Sequence, residues 1–485
     1  MRLGITAMTA ACFACATHAQ QYPTVIFSEF TFSPTSLVPG GTDRFIGFGL
    51  PRASDNGAYW ILDAFTDAAA PSVGAVKLVG SGSTANLVLR SGNQAPWAPT
   101  GQTIGITDSE DAINRYGAFV FAGFLGGTAP LTSRQVVLFD GAAFSVLAQE
   151  GNAVPGVPGE VYGAKFHSMN IANSGIAAFG AFDTVGARPD NMDDFLIRDG
   201  AVIASVGITV PVNAIQPYGN FSKTDFFISA DGSQWLLHAW LDAPTSSDGV
   251  IVVNGAVLLR EGNTFPILGE TTRSISRASM SGNGDWFAVG DTTANKDWLV
   301  YNNQFVASTG SIVPGGLPGE TFGTESFSYA FSPGRSVGPD DFTYVGVTNN
   351  PNHDEDEVFV HSTKGVFMRE NDQVDLNGDG ILNENVFIHH FVGDSFLAAN
   401  GKLYTTCTLQ NASGTFLEQA FIVIQARENI CYADCDGNTV LNILDYICFG
   451  NAYATNDPYA DCDGNSVLNI LDYICFGNAY AVGCP

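Results

Sequence analysis

The chain has 485 residues, with 20 Lys+Arg against 48 Asp+Glu, 45% hydrophobic residues, 12% aromatic and 14% charged. Its length suggests about three average domains, although all-β folds absorb more chain than that into one. A formal charge of -28 repels phosphate backbones and anionic lipid heads, which argues against nucleic-acid binding and membrane-surface attachment, and the apolar content excludes global disorder.

Residues 1–19 carry one early charge (Arg2), an apolar run from Leu3 to Ala16 and small residues at Thr17 and Ala19. That is the layout of a cleavable secretory signal, with the cut after Ala19, and the run is too short for a membrane anchor. The mature chain is expected to be secreted, extracellular or at the cell surface, and not membrane-spanning. Cys12 and Cys15 leave with the signal, and six of the remaining seven cysteines lie between Cys431 and Cys484. Such density suits disulfides in an oxidising compartment.

From residue 20 a turn-plus-strand phrase recurs, marked by Gly57, Gly117, Gly175, Gly232, Gly284, Gly338 and Gly401, at intervals of 60, 58, 57, 52, 54 and 63 residues. A second phrase keeps the same beat at Pro39, Pro96, Pro155, Pro211, Pro266 and Pro314, with Asp375 in the seventh slot. Within one copy, short apolar runs are separated by turn pairs such as Asp140-Gly141, Asp199-Gly200, Asn254-Gly255 and Asn302-Asn303, which favour hairpins. About four strands per copy and seven copies predict a mainly β fold, a seven-bladed β-propeller of four-stranded antiparallel blades over residues 20–429. The segment Val25 to Gly41 lacks the strands that should precede it, and the last copy stops early, so the N-terminal strand is expected to complete the seventh blade. The phrase around Asn173-Ser174-Gly175 with Ala178-Phe179 resembles the NxxGxxAF tandem repeats of secreted bacterial proteins, a likeness that carries no activity.

Asp375, Asn377 and Asp379, followed by Asn383 and Glu384, have the spacing of a calcium loop, with Gly380 at the turn position. Position 12 is Val386, so Glu384 has to supply the last carboxylate. For catalysis there is no HExxH, no GxSxG and no clustered histidine set. His389 and His390 are adjacent on a predicted strand and so point to opposite faces. Ser229 to Trp235 resembles the Asp-box of sialidases with one spacing short, and its recurrence at Ser54 to Trp60 marks it as a blade turn.

Residues 433–454 return 27 positions later as 460–481, differing only at Thr439 against Ser466. Each copy places oxygen ligands at loop positions 1, 3, 5, 9 and 12: Asp434, Asp436, Asn438, Asn442 and Asp445, then Asp461, Asp463, Asn465, Asn469 and Asp472. The carbonyl of Val440 or Val467 stands at position 7, a set suited to Ca²⁺, and a helix follows. These paired loop-helix units resemble a type I dockerin of the Cys-rich (GC-type) form. That resemblance implies a Ca²⁺-dependent docking module over residues 430–485 and a cohesin-like or surface protein as partner. Two departures, Thr439 or Ser466 at the usual glycine position and Asn at position 5, predict weaker affinity. Six cysteines allow fifteen connectivities; the duplication favours Cys435 with Cys448, Cys462 with Cys475, and Cys431 with Cys484, leaving Cys407 as a buried thiol.

The expected function is a secreted binding or display protein, non-catalytic, whose propeller presents a face to a glycan or protein ligand. The alternative is a dockerin-borne enzyme, a glycoside hydrolase or polysaccharide lyase, with its active site in the propeller.

Overall fold

A computed structural model describes residues 22–482 except 30–32, 69–73, 107–110, 130–132, 266–268, 324–330, 335–341, 426–432, 434, 436–440, 455–459 and 461–467. The expected signal segment and the marker Gly338 lie outside the described residues. The rest form seven antiparallel sheets in chain order, a seven-bladed β-propeller. In blade 1 the strands Phe45–Phe48, Trp60–Thr66, Ala75–Ser81 and Thr84–Arg90 lie side by side in that order, and the same order recurs around the ring. Short extra pairings at Arg52–Ala53, Ala112–Ile113 and Thr264–Phe265 extend blades 1, 2 and 5.

The second and third strands of blades 3 to 6 are buried along most of their length, covered on both faces by neighbouring blades, and so are mostly apolar with little alternation. Ala177–Phe182 and Trp286–Thr292 are buried at every position. The core is accordingly a ring of wedges between blades. One wedge joins Val120 and Val136 of blade 2 to Phe179 and Phe195 of blade 3, and another joins Ala178 and Leu196 to Leu237 and Val250 of blade 4. Each fully buried Val, Leu or Phe contributes about 1.5–3 kcal/mol relative to exposure.

Backbone geometry explains the repeat. All six described marker glycines have positive φ, from 70° at Gly57 to 91° at Gly284, and each donates its N–H to the carbonyl three residues back. The hairpin pairs Asp199-Gly200, Asn254-Gly255 and Asn302-Asn303 have positive φ at both positions, the signature of the type I′ turn that matches strand twist. At the end of each outer strand a second turn residue reaches the next blade: the N–H groups of Gly92, Gly151, Gly207, Gly262, Gly310 and Asn371 bond the carbonyls of Ile104, Tyr162, Tyr218, Thr272, Phe322 and Ile388.

Blade 7 comprises Val386–Leu397, Lys402–Asn411 and Phe416–Gln425, and its outer strand is Thr24–Ser28, paired antiparallel with Phe416–Gln425. The N-terminal strand thus closes the ring, as the incomplete first copy implied. Beyond the propeller lie two helices, α1 (Ile443–Ala454) and α2 (Ile470–Val482). Phe449 stacks on Phe476 at 4.2 Å, and the duplicated tyrosines mirror one another: Tyr446 meets Tyr480 and Tyr453 meets Tyr473, both at 4.8 Å. No helix among the described residues is long and apolar enough to cross a membrane.

Cys435 and Cys448 form a disulfide with Cα atoms 5.7 Å apart. Cys475 is also disulfide-bonded, while Cys462, Cys431 and Cys484 lie outside the described residues. Cys407 is a buried free thiol.

Two glycine substitutions should separate turn strain from crowding. A Cβ on Gly151 meets nothing within 4 Å, so Gly151→Ala should cost only the left-handed backbone, about 1–2 kcal/mol. A Cβ on Gly57 meets Ala398 and Asn400 at 2.6 Å, so Gly57→Ala should cost roughly 1–3 kcal/mol more. Denaturant midpoints of the two variants check the order.

Candidate functional site

The turns that follow the inner strands converge on one mouth of the central channel, where they bond from blade to blade. Ala399 N–H donates to the Asp55 carbonyl, Asn173 N–H to Ala230 and Ala230 N–H to Gly282. Between blades 1, 2 and 3 the link is made by side chains: Arg115 pairs with Asp55, and the Arg115 N–H donates to Asn173 Oδ1 at 3.2 Å. Inside lies a cavity of about 70 Å³ beside Arg52, Asn114 and Asn170. Its amides are engaged: Asn170 donates to the Phe226 carbonyl at 2.8 Å, and Asn114 to Ala172 at 3.1 Å. The space suits a few waters. The Asp-box-like turns serve this hub, since Ser229 Oγ accepts from Gln234 N–H at 2.9 Å and Ser54 Oγ from Tyr59 N–H at 3.0 Å.

Two clusters of possible metal ligands lie where blade 6 leads into blade 7. The first joins Glu357, Glu370 and His390. Phe391 N–H donates to Glu357 Oε2 at 3.0 Å, and Glu357 N–H donates to Glu370 Oε2 at 2.9 Å. The remaining oxygens face the imidazole, Glu357 Oε1 at 2.9 Å and Glu370 Oε1 at 3.7 Å from His390 Nδ1. The Glu357 and Glu370 carboxylates raise His390 to about 10. Burial, with the Glu357 charge adding, pushes Glu370 up to about 7. The arrangement is an ionic clasp between blades. His389 lies at a register shift between Ile388 and His390, where simple strand alternation does not apply, and bonds Thr408 Oγ1 at 3.1 Å.

The second cluster is the expected calcium loop. The Asp375 side chain is buried, with Oδ1 accepting from Gly378 N–H at 2.7 Å and Oδ2 from Gly380 N–H at 2.9 Å. One oxygen each of Asp375, Asp379 and Glu384 lies within 4.8 Å of the others. Glu384 Oε1 is buried and accepts no hydrogen bond. Asn377 accepts from Asp379 N–H at 2.8 Å, and its amide donates to Asp379 Oδ2 at 3.1 Å.

In the helical pair, loop positions 1 to 7, namely Asp434, Asp436, Asn438 and Val440 with Asp461, Asp463, Asn465 and Val467, lie outside the described residues. Positions 9 and 12 are in place at each helix start. Asp445 and Asp472 are fully buried and accept from the N–H groups of Asn442 and Asn469 at 2.8 Å, while those asparagine side chains accept from Leu444 and Leu471 N–H groups. This is a capping arrangement at the start of each helix. Both helices expose an equivalent apolar face, Ile443, Leu444 and Ile447 on α1 and Ile470, Leu471 and Ile474 on α2, each side chain at least 53% exposed.

Three groupings were not legible in the sequence. Besides the Glu357 clasp, Lys77 is wholly buried between Asp63 and Asp111. Burial alone would lower the Lys77 pKa, but the charges of Asp111 and Asp63 outweigh it and raise it. In blade 3, Asp183, Asp193 and Asp194 converge, and burial with neighbouring carboxylates pushes Asp193 up to about 6. Only the run Asp193-Asp194 hinted at this.

The fold defines a seven-bladed propeller protein with a C-terminal helical pair. Residues 29–204 match a family of unknown function, DUF7453. No curated protein matches the chain by sequence. Among solved structures, a Mycobacterium tuberculosis puromycin-hydrolysing peptidase is similar at 10% identity and a TM-score of 0.37 over 81% of this chain, which spans 55% of the peptidase. An oligogalacturonate lyase in complex with manganese aligns at 10% identity and TM-score 0.27, covering 76% of this chain and 74% of its own. The six-bladed Aleuria aurantia lectin aligns at 11% identity and TM-score 0.28, covering 67% and 96%.

The clasp predicts a pH signature. A histidine whose folded pKa is raised contributes stability that is complete below its unfolded pKa, about 6.5, and is lost as pH rises through about 10. The stability gap between the wild type and His390→Gln should therefore be full at pH 6 and close above pH 10 in denaturant titrations at each pH; a gap constant to pH 11 would remove the charge from the account.

Proposed function

We propose that this is a secreted, non-catalytic display protein, whose propeller presents a ligand face and whose C-terminal helical pair docks it, with calcium, to a cohesin-like or other surface protein. The observation that carries the reading is the pair of equivalent apolar faces left exposed on α1 and α2. Water-exposed isoleucines and leucines grouped in this way mark contact surfaces. The duplicated carboxylates beside them, Asp445 and Asp472, stand where the sequence places the last ligand of each calcium loop, so cation binding would order the same segment that carries the face. Secretion rests on the N-terminal leader pattern and the cysteine density around the Cys435–Cys448 disulfide. The non-catalytic reading of the propeller draws on two carboxylate pairs being engaged by cations, Asp63 and Asp111 with Lys77, and Glu357 and Glu370 with His390.

Docking is tested with the full chain on the surface of the cells that produce it, in calcium and in chelator. Ile443→Asp with Ile447→Asp, or Ile470→Asp with Ile474→Asp, should weaken binding several-fold, and all four together should abolish it. Binding unaffected by chelator or by the four substitutions would refute the docking role. Glycan turnover by the full chain, lost on changing one propeller carboxylate, would replace it with the enzyme.

Calcium coupling has its own check. Amide exchange across 443–454 and 470–482 should slow on adding calcium, and Asp434→Ala with Asp461→Ala should remove that response. An unchanged response would overturn the ligand assignment.

A further inference from the structure

We infer that a calcium ion in the Asp375–Glu384 loop locks the ring-closing N-terminal strand onto blade 7. The inference rests on the calcium reading of that loop and adds what its occupancy controls. The residue that opens the loop also holds the strand: Asp375 N–H donates to the Pro23 carbonyl at 2.9 Å, and the Asp375 carbonyl accepts from Val25 N–H at 3.0 Å. Thr24 and Asp375 form a parallel bridge beside the antiparallel pairing of Thr24–Ser28 with Phe416–Gln425. The outer strand of blade 7 is therefore gripped from both sides, and one grip is the first ligand residue of the loop.

The equivalent crossovers show what is special here. In blade 4, Val212 donates to Gly255 and accepts from Val257 of the outer strand, and in blade 6 the Pro314 carbonyl accepts from Val366. Those outer strands are continuous with their blades through tight hairpins. The Thr24–Ser28 strand has no such hairpin to its sheet, so the crossover contact adds to what its pairing with Phe416–Gln425 and the packing of Val25, Ile26 and Phe27 provide.

The donor set fits a hard cation. Asp375, Asp379 and Glu384 bring three carboxylates within 4.8 Å, no nitrogen or sulfur ligand is among them, and Glu384 Oε1 is buried with no hydrogen-bond partner. An unpartnered buried carboxylate oxygen is costly unless a cation meets it. Entry is open, because the loop residues Asp375 and Gly380 border a groove of about 430 Å³ together with Tyr22, Thr24, Gly82 and Lys402. With the cation bound, carboxylate repulsion is relieved and the Asp375 backbone is fixed against the strand. Without it, the loop and the strand loosen together.

The test is amide exchange on the full chain, with calcium or EGTA, read by mass spectrometry on peptides covering 22–28 and 375–384. At free calcium about ten times the Kd, exchange in both peptides should slow by about tenfold. Glu384→Gln and, separately, the exposed Asp379→Asn should remove both responses while leaving the 443–454 response to calcium intact. If 375–384 is protected by calcium and 22–28 is not, the lock is wrong and the calcium loop stands. If neither segment responds, the calcium reading of this loop falls and the lock with it.

Discussion

Every blade is covered only by its neighbours, and the rest of the structure follows from that. A sheet buried on both faces has no solvent side, so its stability lies in two wedges of side chains shared with adjacent sheets. The wedge between blades 7 and 1 is as large in character as the others: Phe27, Trp60 and Phe421 pack there, with Trp60 and Phe421 ring centroids 5.0 Å apart. It exists only if the ring closes. Closure puts residues separated by nearly the whole chain into one sheet, an entropic cost that grows slowly with loop length and is repaid by a whole interface.

The same constraint governs the polar chemistry. A strand end that meets the next blade brings buried N–H groups with it, and each needs an acceptor. The chain supplies carboxylates: Glu261 accepts from Gly249 at 3.0 Å within its blade and from Ile275 at 3.0 Å in the next, and Glu370 and Glu357 divide the equivalent task between blades 6 and 7. Part of the acidic character that the composition announces therefore lies buried inside the ring. Where a carboxylate gains a cation as partner, as Glu357 does with His390, the acceptor becomes a clasp.

Local rules were legible in the sequence and cross-blade ones were not. Turn positions with positive φ select glycine or asparagine, so Gly57, Gly117 and their successors wrote the blade count plainly, and Asp140-Gly141 and its kin wrote the hairpins. The meeting of Asp375, Asp379 and Glu384 was legible because the three residues lie within a short stretch of chain whose spacing already brings them together. Glu357 and His390, or Lys77 and Asp111, meet only because blades are neighbours, and no fixed spacing encodes such a meeting. The helical pair was legible through its duplication, which became a near-symmetric aromatic core. Its exposed isoleucines were hidden in the same apolar run that supplied the buried Phe449 and Phe476, since composition alone does not say which face is covered.

The seventh crossover departs from the others for a reason that backbone chemistry supplies. Six slots carry proline, which fixes φ and organises a turn without any partner, but proline has no N–H. At Pro314 this loses nothing that blade 6 requires, because the carbonyl alone reaches Val366. At the seventh slot the neighbouring strand is the N-terminal one, and both backbone groups of Asp375 are used, as both groups of Val212 are beside Pro211 in blade 4. A proline in place of Asp375 would forfeit the bond to Pro23, one of the two backbone bonds from the crossover to the strand that closes the ring. An aspartate keeps both bonds and also accepts the N–H groups of Gly378 and Gly380, which organises the turn that follows. An aspartate at this slot thus keeps, on the strand that closes the ring, the two backbone bonds that a proline at the same position could not both make.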